Sequence, residues 1–341
     1  MILLRKILFP FAVLYGFIIA IRNFLYDKEI LTSYAFDLPI IAVGNLSVGG
    51  TGKTPQIEYL IRMLSKNYTL ATLSRGYKRK SEGFILANST STVEILGDEP
   101  FQFYSKFKNI QVAVDANRKN GIEQLLLQSQ KPQIILLDDA YQHRKVKAGF
   151  YILLTSFGDL YSDDFMLPTG NLRESRSGAK RANIIIVTKC PHTLSSVSKN
   201  DIRTKLNLSV NQELYFTFIA YDNFVLGENR KINVNDIQES SKLLVAGIAK
   251  PEPFFDYLQR TNDVCLSFPD HHDFSENDIL DIKKKSINRI VITTEKDYVR
   301  LQGKLTAEQL FYLPIKSQFL EEEHNFRKKI LNYVGTSSRN R

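Results

Sequence analysis

Cysteine is scarce: Cys190 and Cys265 are the only two in 341 residues. Two cannot make a disulfide framework, and neither sits in a metal-spaced pair, so the chain reads as built for a reducing compartment without a cysteine zinc site. Low-complexity tracts and fixed-period repeats are missing as well. With 43% hydrophobic and 24% charged residues, disordered and collagen-like classes are excluded. No stretch interleaves aromatic with basic residues. The net charge of +9 therefore points to an anionic lipid or a phosphorylated substrate before nucleic acid.

The chain also lacks an uncharged run long enough to cross a bilayer unaided. Residues 1–26 are strongly apolar, but only the 15 residues Ile7 to Ile21 lie between charges, at Lys6 and Arg22. As a helix they span ~22 Å, short of the ~30 Å hydrocarbon layer unless Arg5, Lys6 and Arg22 snorkel. Three readings compete: a cleaved signal peptide, for which no A-x-A-like site follows, a buried core helix, and a membrane anchor that spans or lies in the interface. The anchor is the favoured one.

After Tyr26, Val/Ile/Leu-rich runs alternate with helical spacing. Apolar strands are expected at 39–43, 70–73, 110–114, 134–137, 151–154 and 184–187, and again at 214–220, 243–246, 264–268 and 289–293. Ile57, Leu60, Ile61 and Leu64 fall at i, i+3, i+4 and i+7, one face of a helix. Strands at helix-length intervals predict an α/β fold, a doubly wound, mostly parallel sheet. At this length two domains are expected. The boundary is placed near residue 220, giving an N-terminal apolar helix (1–26), a nucleotide-binding domain (27–220) and a smaller C-terminal α/β domain (221–335). The tail GTSSRNR reads as a solvated, frayed end.

The segment Ser47-Val48-Gly49-Gly50-Thr51-Gly52-Lys53-Thr54-Pro55 directly follows the first strand. Gly52-Lys53-Thr54 fits the end of the phosphate loop G-x4-G-K-[ST], while Ser47 stands at its first glycine. Gly49, Gly50 and Gly52 let backbone N–H groups curl around phosphate at a helix N-terminus. Lys53 reaches the outer phosphates, the Thr54 hydroxyl suits Mg²⁺, and Pro55 sits in the first turn, where its missing N–H costs little. The pattern also resembles the deviant loop of membrane-cycling ATPases, but Val48 occupies their signature-lysine position. Four apolar residues then deliver Asp138 and Asp139 to a strand end, a second metal-side element, with plain helix capping as the alternative. Val187-Thr188-Lys189-Cys190-Pro191 begins a guanine-selecting motif but lacks its Asp, so GTP specificity is not supported.

The ordered set N-L-S-V-G-G-T-G-K-T-P (45–55), S-R-G-Y (74–77), G-D-E-P (97–100), D-D-A-Y-Q-H (138–143), L-P-T-G-N-L-R-E (167–174), F-P-D-H-H (268–272) and T-E-K-D (294–297) resembles the tetraacyldisaccharide 4'-kinase family over almost the whole chain. Ala140 and Asn171 depart from residues common in that family. The resemblance implies a P-loop kinase that moves the γ-phosphoryl group of ATP to the 4'-hydroxyl of tetraacyldisaccharide 1-phosphate, an anionic glycolipid, giving lipid IVA at the cytoplasmic face of the inner membrane. It implies Asp98 as general base and His271 as its partner, residues that sequence alone would not pair. Arg173 is expected to neutralise phosphate charge and Glu174 to join Thr54, Asp138 and Asp139 around Mg²⁺, with an ion pair as the alternative for both. Arg75 and Tyr77 are candidate phosphate and sugar contacts, and Gln142 and His143 candidate supports. A membrane-cycling ATPase regulating a protein partner is the rival reading. Thr294–Asp297 has no evident role beyond shaping a loop.

Overall fold

The computed structural model describes Arg5 and residues 7–339. The first four residues and Lys6 of the apolar N-terminal segment, and the last two of the GTSSRNR tail, lie outside the described residues.

Eight strands run from the first apolar segment to the expected boundary: β1 (Ile40–Asn45), β2 (Leu70–Ser74), β3 (Ile85–Leu86), β4 (Gln111–Val114), β5 (Ile134–Asp138), β6 (Phe150–Ser156), β7 (Ile184–Thr188) and β8 (Glu213–Tyr221). Seven follow: β9 (Phe224–Leu226), β10 (Lys231–Asn233), β11 (Lys242–Ala246), β12 (Val264–Ser267), β13 (Ile290–Thr294), β14 (Leu310–Leu313) and β15 (Ile315–Phe319). They form a nine-stranded sheet, ordered β15-β8-β7-β6-β1-β5-β2-β4-β3, and a six-stranded sheet, ordered β10-β9-β14-β13-β11-β12. In the large sheet β1 pairs in parallel with β5 and β6, and β2 with β4 and β5; only β3 and β15 run antiparallel to their neighbours.

Burial explains the uninterrupted apolar runs. Every residue of β1, β5 and β7 is buried, as expected for parallel strands covered on both faces. On one face the helix Lys53–Leu64 lays Ile57, Leu60, Ile61 and Leu64 against Ile41, Val43 and Leu136. On the other, Ile122 and Leu125 of the helix Arg118–Leu126 meet Ile40, Ala71 and Leu137. Each such fully buried aliphatic side chain contributes about 1.5–3 kcal/mol of transfer free energy. With both faces sealed, the strand ends become the place for polar chemistry.

The expected boundary needs one correction. β15 returns to the large sheet, pairing Ile315 with Tyr221 and Phe319 with Thr217 of β8. The last helix, Glu323–Arg339, then buries Phe326, Ile330 and Val334 in the first unit's core. The second unit is therefore an insertion between β8 and β15, not everything after residue 220. Gly335–Arg339 of the GTSSRNR tail continue that helix. Before them, Phe326, Ile330 and Val334 at i, i+4 and i+8, with Tyr333 bonding Ile40 O at 3.1 Å, hold the helix to the sheet.

The apolar N-terminus forms the helix Phe9–Asp27, of which 6% of the 18-residue apolar window is buried. That overturns the core-helix reading. Phe11, Phe17, Ile18 and Phe24 are exposed. Three polar side chains dock the helix on the loops: Tyr15 donates to Arg173 O at 2.9 Å, Arg22 to Gln142 O at 2.7 Å, and Asn23 to Glu174 Oε1 at 2.7 Å.

Candidate active site

Because β1, β2, β5 and β7 are parallel, their C-terminal ends open on one edge, and the loops there build the site. After β1 the chain turns through Gly49 (φ +110°) and Gly52 (φ +81°) into the helix Lys53–Leu64. A side chain at either position would strain this left-handed backbone. The loop is clamped from two sides. Val48 N donates to Asn171 O at 2.8 Å and Arg173 N to Leu46 O at 2.8 Å. From the end of β7, Thr188 Oγ1 donates to Thr51 O at 2.8 Å and Lys189 Nζ to Gly50 O at 2.5 Å. The sequence segment that failed as a guanine motif is thus a brace for the phosphate loop.

Asn45, the last residue of β1, is wholly buried and joins the loop's cations. Its Oδ1 accepts from Lys53 Nζ at 3.2 Å and from Arg173 Nη2 at 2.5 Å, and its amide donates to Ser47 O at 2.7 Å. Lys53 Nζ also lies 3.5 Å from Asp139 Oδ1, while Arg173 spans both Asp139 oxygens at 2.9 and 3.2 Å. Burial alone would raise the Asp139 pKa, but Lys53 and the Arg173 bonds bring it down to about 2. Asp138 differs. Burial and the adjacent Asp139 charge push it up to about 6, against Lys53 and Arg118, and its Oδ2 accepts from Ser74 Oγ at 3.2 Å. An under-neutralised carboxylate at a strand end is an oxygen donor of the kind that fits a hard divalent cation.

Glu174 behaves otherwise. Its oxygens accept from Arg181 at 2.6 and 2.9 Å and from Asn23, and it is 1% exposed. Its expected place in the metal shell is replaced by a buried ion pair with Arg181, while the Asn23 bond ties the Arg173 loop to the N-terminal helix. Gln142 does support the site, donating to Asn45 O at 2.7 Å. Burial, then Arg118 and Arg75, lower the His143 pKa to about 4 and keep that ring neutral. Arg75 and Tyr77 are exposed beyond β2.

The second half of the site comes from the inserted unit. Asp98 opens the helix Asp98–Lys106 after Gly97 (φ +88°), where a Cβ would stand 2.9 Å from Tyr77 O. Only glycine lets the Asp98 loop press against the S-R-G-Y turn. Across 173 positions His271 Nδ1 lies 2.9 Å from Asp98 Oδ2, with the Tyr77 ring edge-on to the imidazole, centroids 5.5 Å apart. The two residues that only the resemblance could pair are in contact. Arg300 adds Nε to Asp98 Oδ1 at 2.8 Å and Nη2 to Oδ2 at 2.5 Å. Burial opposes ionisation of Asp98, yet the His271 and Arg300 hydrogen bonds and the Arg300 and Lys296 charges hold its pKa below the ordinary value. Asp98, Glu99 and His271 could gather ligand atoms within 4.8 Å of one another, but two cations already face them.

The sequence reading missed Asn45, Arg118 and the T-E-K-D-Y-V-R helix. Arg118 is buried, donating to Asp115 O at 2.6 Å and Asp138 O at 3.3 Å. Asn45 had a signal, since a polar residue closing a wholly apolar strand before a glycine loop faces the ligand edge. Arg300 had none, because its partner lies 202 positions away.

A parallel sheet with a glycine loop, a paired lysine and strand-end carboxylates defines a P-loop phosphotransferase, here completed by an inserted second unit. The family model for tetraacyldisaccharide-1-P 4'-kinase matches residues 4–335. The chain is 68% identical to the tetraacyldisaccharide 4'-kinase of Flavobacterium johnsoniae, covering 97% of this chain and 98% of that one. It is 44% identical to that of Bacteroides thetaiotaomicron, over 99% and 95%. Among solved structures, Aquifex aeolicus LpxK in complex with ATP superposes with a TM-score of 0.80 at 30% identity, covering 97% of this chain and 99% of that one. The chain belongs to the tetraacyldisaccharide 4'-kinase family, and it is an ATP-dependent kinase of lipid A biosynthesis.

Proposed function

We propose that phosphoryl transfer to the 4'-hydroxyl of tetraacyldisaccharide 1-phosphate takes place between the phosphate loop and the Asp98–His271 pair. The observation that carries this is the 2.9 Å contact joining Asp98 of the first unit to His271 of the second. A sugar hydroxyl is a weak nucleophile and must be oriented in line with the γ-phosphate as its proton leaves. Asp98 accepts that proton as the new O–P bond forms and the bond to ADP breaks. A carboxylate of lowered basicity suits a loose transition state, in which positioning matters more than early deprotonation. The backbone from Ser47 to Thr54 cradles the phosphates, and Lys53 and Arg173 balance the charge on the transferred group.

Thr54 and Asp138 are the residues that would hold Mg²⁺, with Asp139 beside them holding Lys53 and Arg173 in register. Held there, Mg²⁺ would supply positive charge against the phosphates.

The Phe9–Asp27 helix seats the enzyme on the inner membrane's cytoplasmic face, apolar side into lipid and polar side on the Arg173 and Gln142 loops. Anionic lipid complements the basic chain. The test is incubation with γ-labelled ATP, Mg²⁺ and tetraacyldisaccharide 1-phosphate in detergent. Label in the lipid supports the reading; ATP hydrolysis without lipid labelling, stimulated by a protein partner, would replace it with the ATPase reading.

A further inference from the structure

The T-E-K-D-Y-V-R segment forms the helix Glu295–Leu301, and two of its residues, Lys296 and Arg300, reach the Asp98–His271 pair. Lys296 Nζ lies 2.9 Å from His271 Nε2 and 3.0 Å from Asp270 Oδ1. An ammonium has three donors and no acceptor. Nε2 must then offer its lone pair, so the ring proton sits on Nδ1 and is donated to Asp98 Oδ2. The imidazole is faced by Asp98 on Nδ1, Lys296 on Nε2, Asp270 Oδ2 4.0 Å from Nε2, and the Tyr77 edge. Arg300, one helical turn on from Lys296, reaches both Asp98 oxygens and also donates from Nη1 to His272 O at 2.5 Å.

Counting acceptor sites gives the consequence. An ionised carboxylate has about four lone-pair positions. His271 and Arg300 Nη2 take both on Oδ2, and Arg300 Nε takes one on Oδ1. One position remains, on Oδ1.

We propose that Lys296 and Arg300 are positioning residues of the phosphoryl transfer: Lys296 holds His271 neutral with its proton on Nδ1, and Arg300 orients Asp98 so that Oδ1 receives the proton of the acceptor hydroxyl. The inference rests on the reading of Asp98 as base. In the transfer, the hydroxyl O–H bond breaks toward Oδ1 while its oxygen bonds to phosphorus and ADP departs. His271 donates its hydrogen bond throughout and does not lose its proton. The second unit thereby supplies the charge arrangement that makes Asp98 competent only when the two units are together.

The test uses the full-length protein with ¹⁵N-labelled histidine, reading the His271 ring nitrogens by NMR beside kcat for wild type, Lys296→Met, Lys296→Arg and Arg300→Lys. Wild type is expected to show the neutral Nδ1–H form at about pH 7, and Lys296→Arg to keep it, because arginine also only donates. Lys296→Met should remove the donor that holds Nε2 as an acceptor, change the His271 ring-nitrogen spectrum from that of wild type, and lower kcat about tenfold. Arg300→Lys, losing the two-point grip, should lower kcat about tenfold with the KM for ATP unchanged. A wild-type His271 found as Nε2–H or imidazolium at that pH, or a Lys296→Met spectrum unchanged from wild type, overturns the proposal. Failure of the base reading looks different: Asp98→Asn would turn over near normally while the His271 spectra stay as described.

Discussion

His271 Nδ1 stands 2.9 Å from Asp98 Oδ2, a bond between the loop after β12 in the inserted unit and the first turn of a helix in the P-loop unit. His271 holds this position with a left-handed backbone, φ +58°, a conformation that costs about 1–3 kcal/mol in a non-glycine residue and persists where surroundings enforce it. Replacement by alanine should lower kcat by about a hundredfold. ATP affinity should hardly change, since no P-loop contact is touched. Lipid labelling and equilibrium ATP binding measure the two separately, and a parallel loss of both would assign His271 to nucleotide binding.

Asn45 is the hub of the phosphate-side cations. Asn45→Ala removes the acceptor shared by Lys53 and Arg173 and leaves both turned to Asp139. Turnover should fall about tenfold to a hundredfold, with weaker ATP binding. Asn45→Asp should recover less than half the loss, because it brings a second carboxylate beside Asp139.

Gly97 should not tolerate alanine. The new Cβ would lie 2.9 Å from Tyr77 O on a backbone at φ +88°, so the substitution costs about 1–3 kcal/mol of stability. It also displaces Asp98, and kcat should drop more than thermal stability accounts for. A melting curve beside the labelling assay separates the two effects.

A second link between the units responds to pH. Lys106 bridges Glu58 at 2.7 Å and Glu295 at 2.5 Å, and Arg62 also holds Glu58 at 2.5 Å. Burial and the Glu58 charge raise Glu295 from 4.5 to about 7, against Lys106 and Arg62. A carboxyl raised in the folded state binds its proton more tightly there than when unfolded. Its contribution is therefore largest below the unfolded value and falls as pH rises to about 7. The Tm of wild type should decline from about pH 5 to about pH 8 more steeply than that of Glu295→Gln. Parallel curves would contradict this assignment.

Phe11 and Phe17 are each 62% exposed on the docked N-terminal helix. Phe11→Ser with Phe17→Ser should leave the melting temperature within a degree or two, as expected for exposed positions. Binding to vesicles containing anionic lipid should weaken about tenfold or more, since two large apolar contacts with the acyl boundary are lost. Unchanged vesicle binding would remove the helix from the membrane contact.

Much of the first unit was legible because its signals are local. Buried parallel strands have no polar alternation, so β1, β5 and β7 stand out as apolar runs, and the Gly49–Thr54 turn follows β1 directly. β14 and β15 escaped notice because their role is to close two sheets, a long-range matter of pairing Ile315 with Tyr221. The same holds at the site. Asp139 is readable just past a strand end and Lys53 from the glycine loop that opens its helix, whereas Lys296 and Arg300 look like ordinary surface cations of a short amphipathic helix. Glu174 misled for a physical reason: a carboxylate after a glycine turn suits a metal, but here Arg181, seven residues on, had first claim on it.

The central claim is that Asp98, held against His271 across the two units, accepts the proton of the 4'-hydroxyl. Single-turnover transfer from γ-labelled ATP to tetraacyldisaccharide 1-phosphate, comparing wild type with the isosteric Asp98→Asn, tests it most directly. The asparagine keeps the shape of the side chain and one carbonyl acceptor for Arg300, loses the second acceptor to its amide nitrogen, and cannot take up the proton. The transfer rate should fall about 10²–10⁴-fold with ATP affinity unchanged. An Asp98→Asn enzyme that transfers phosphate within a fewfold of wild type would contradict it.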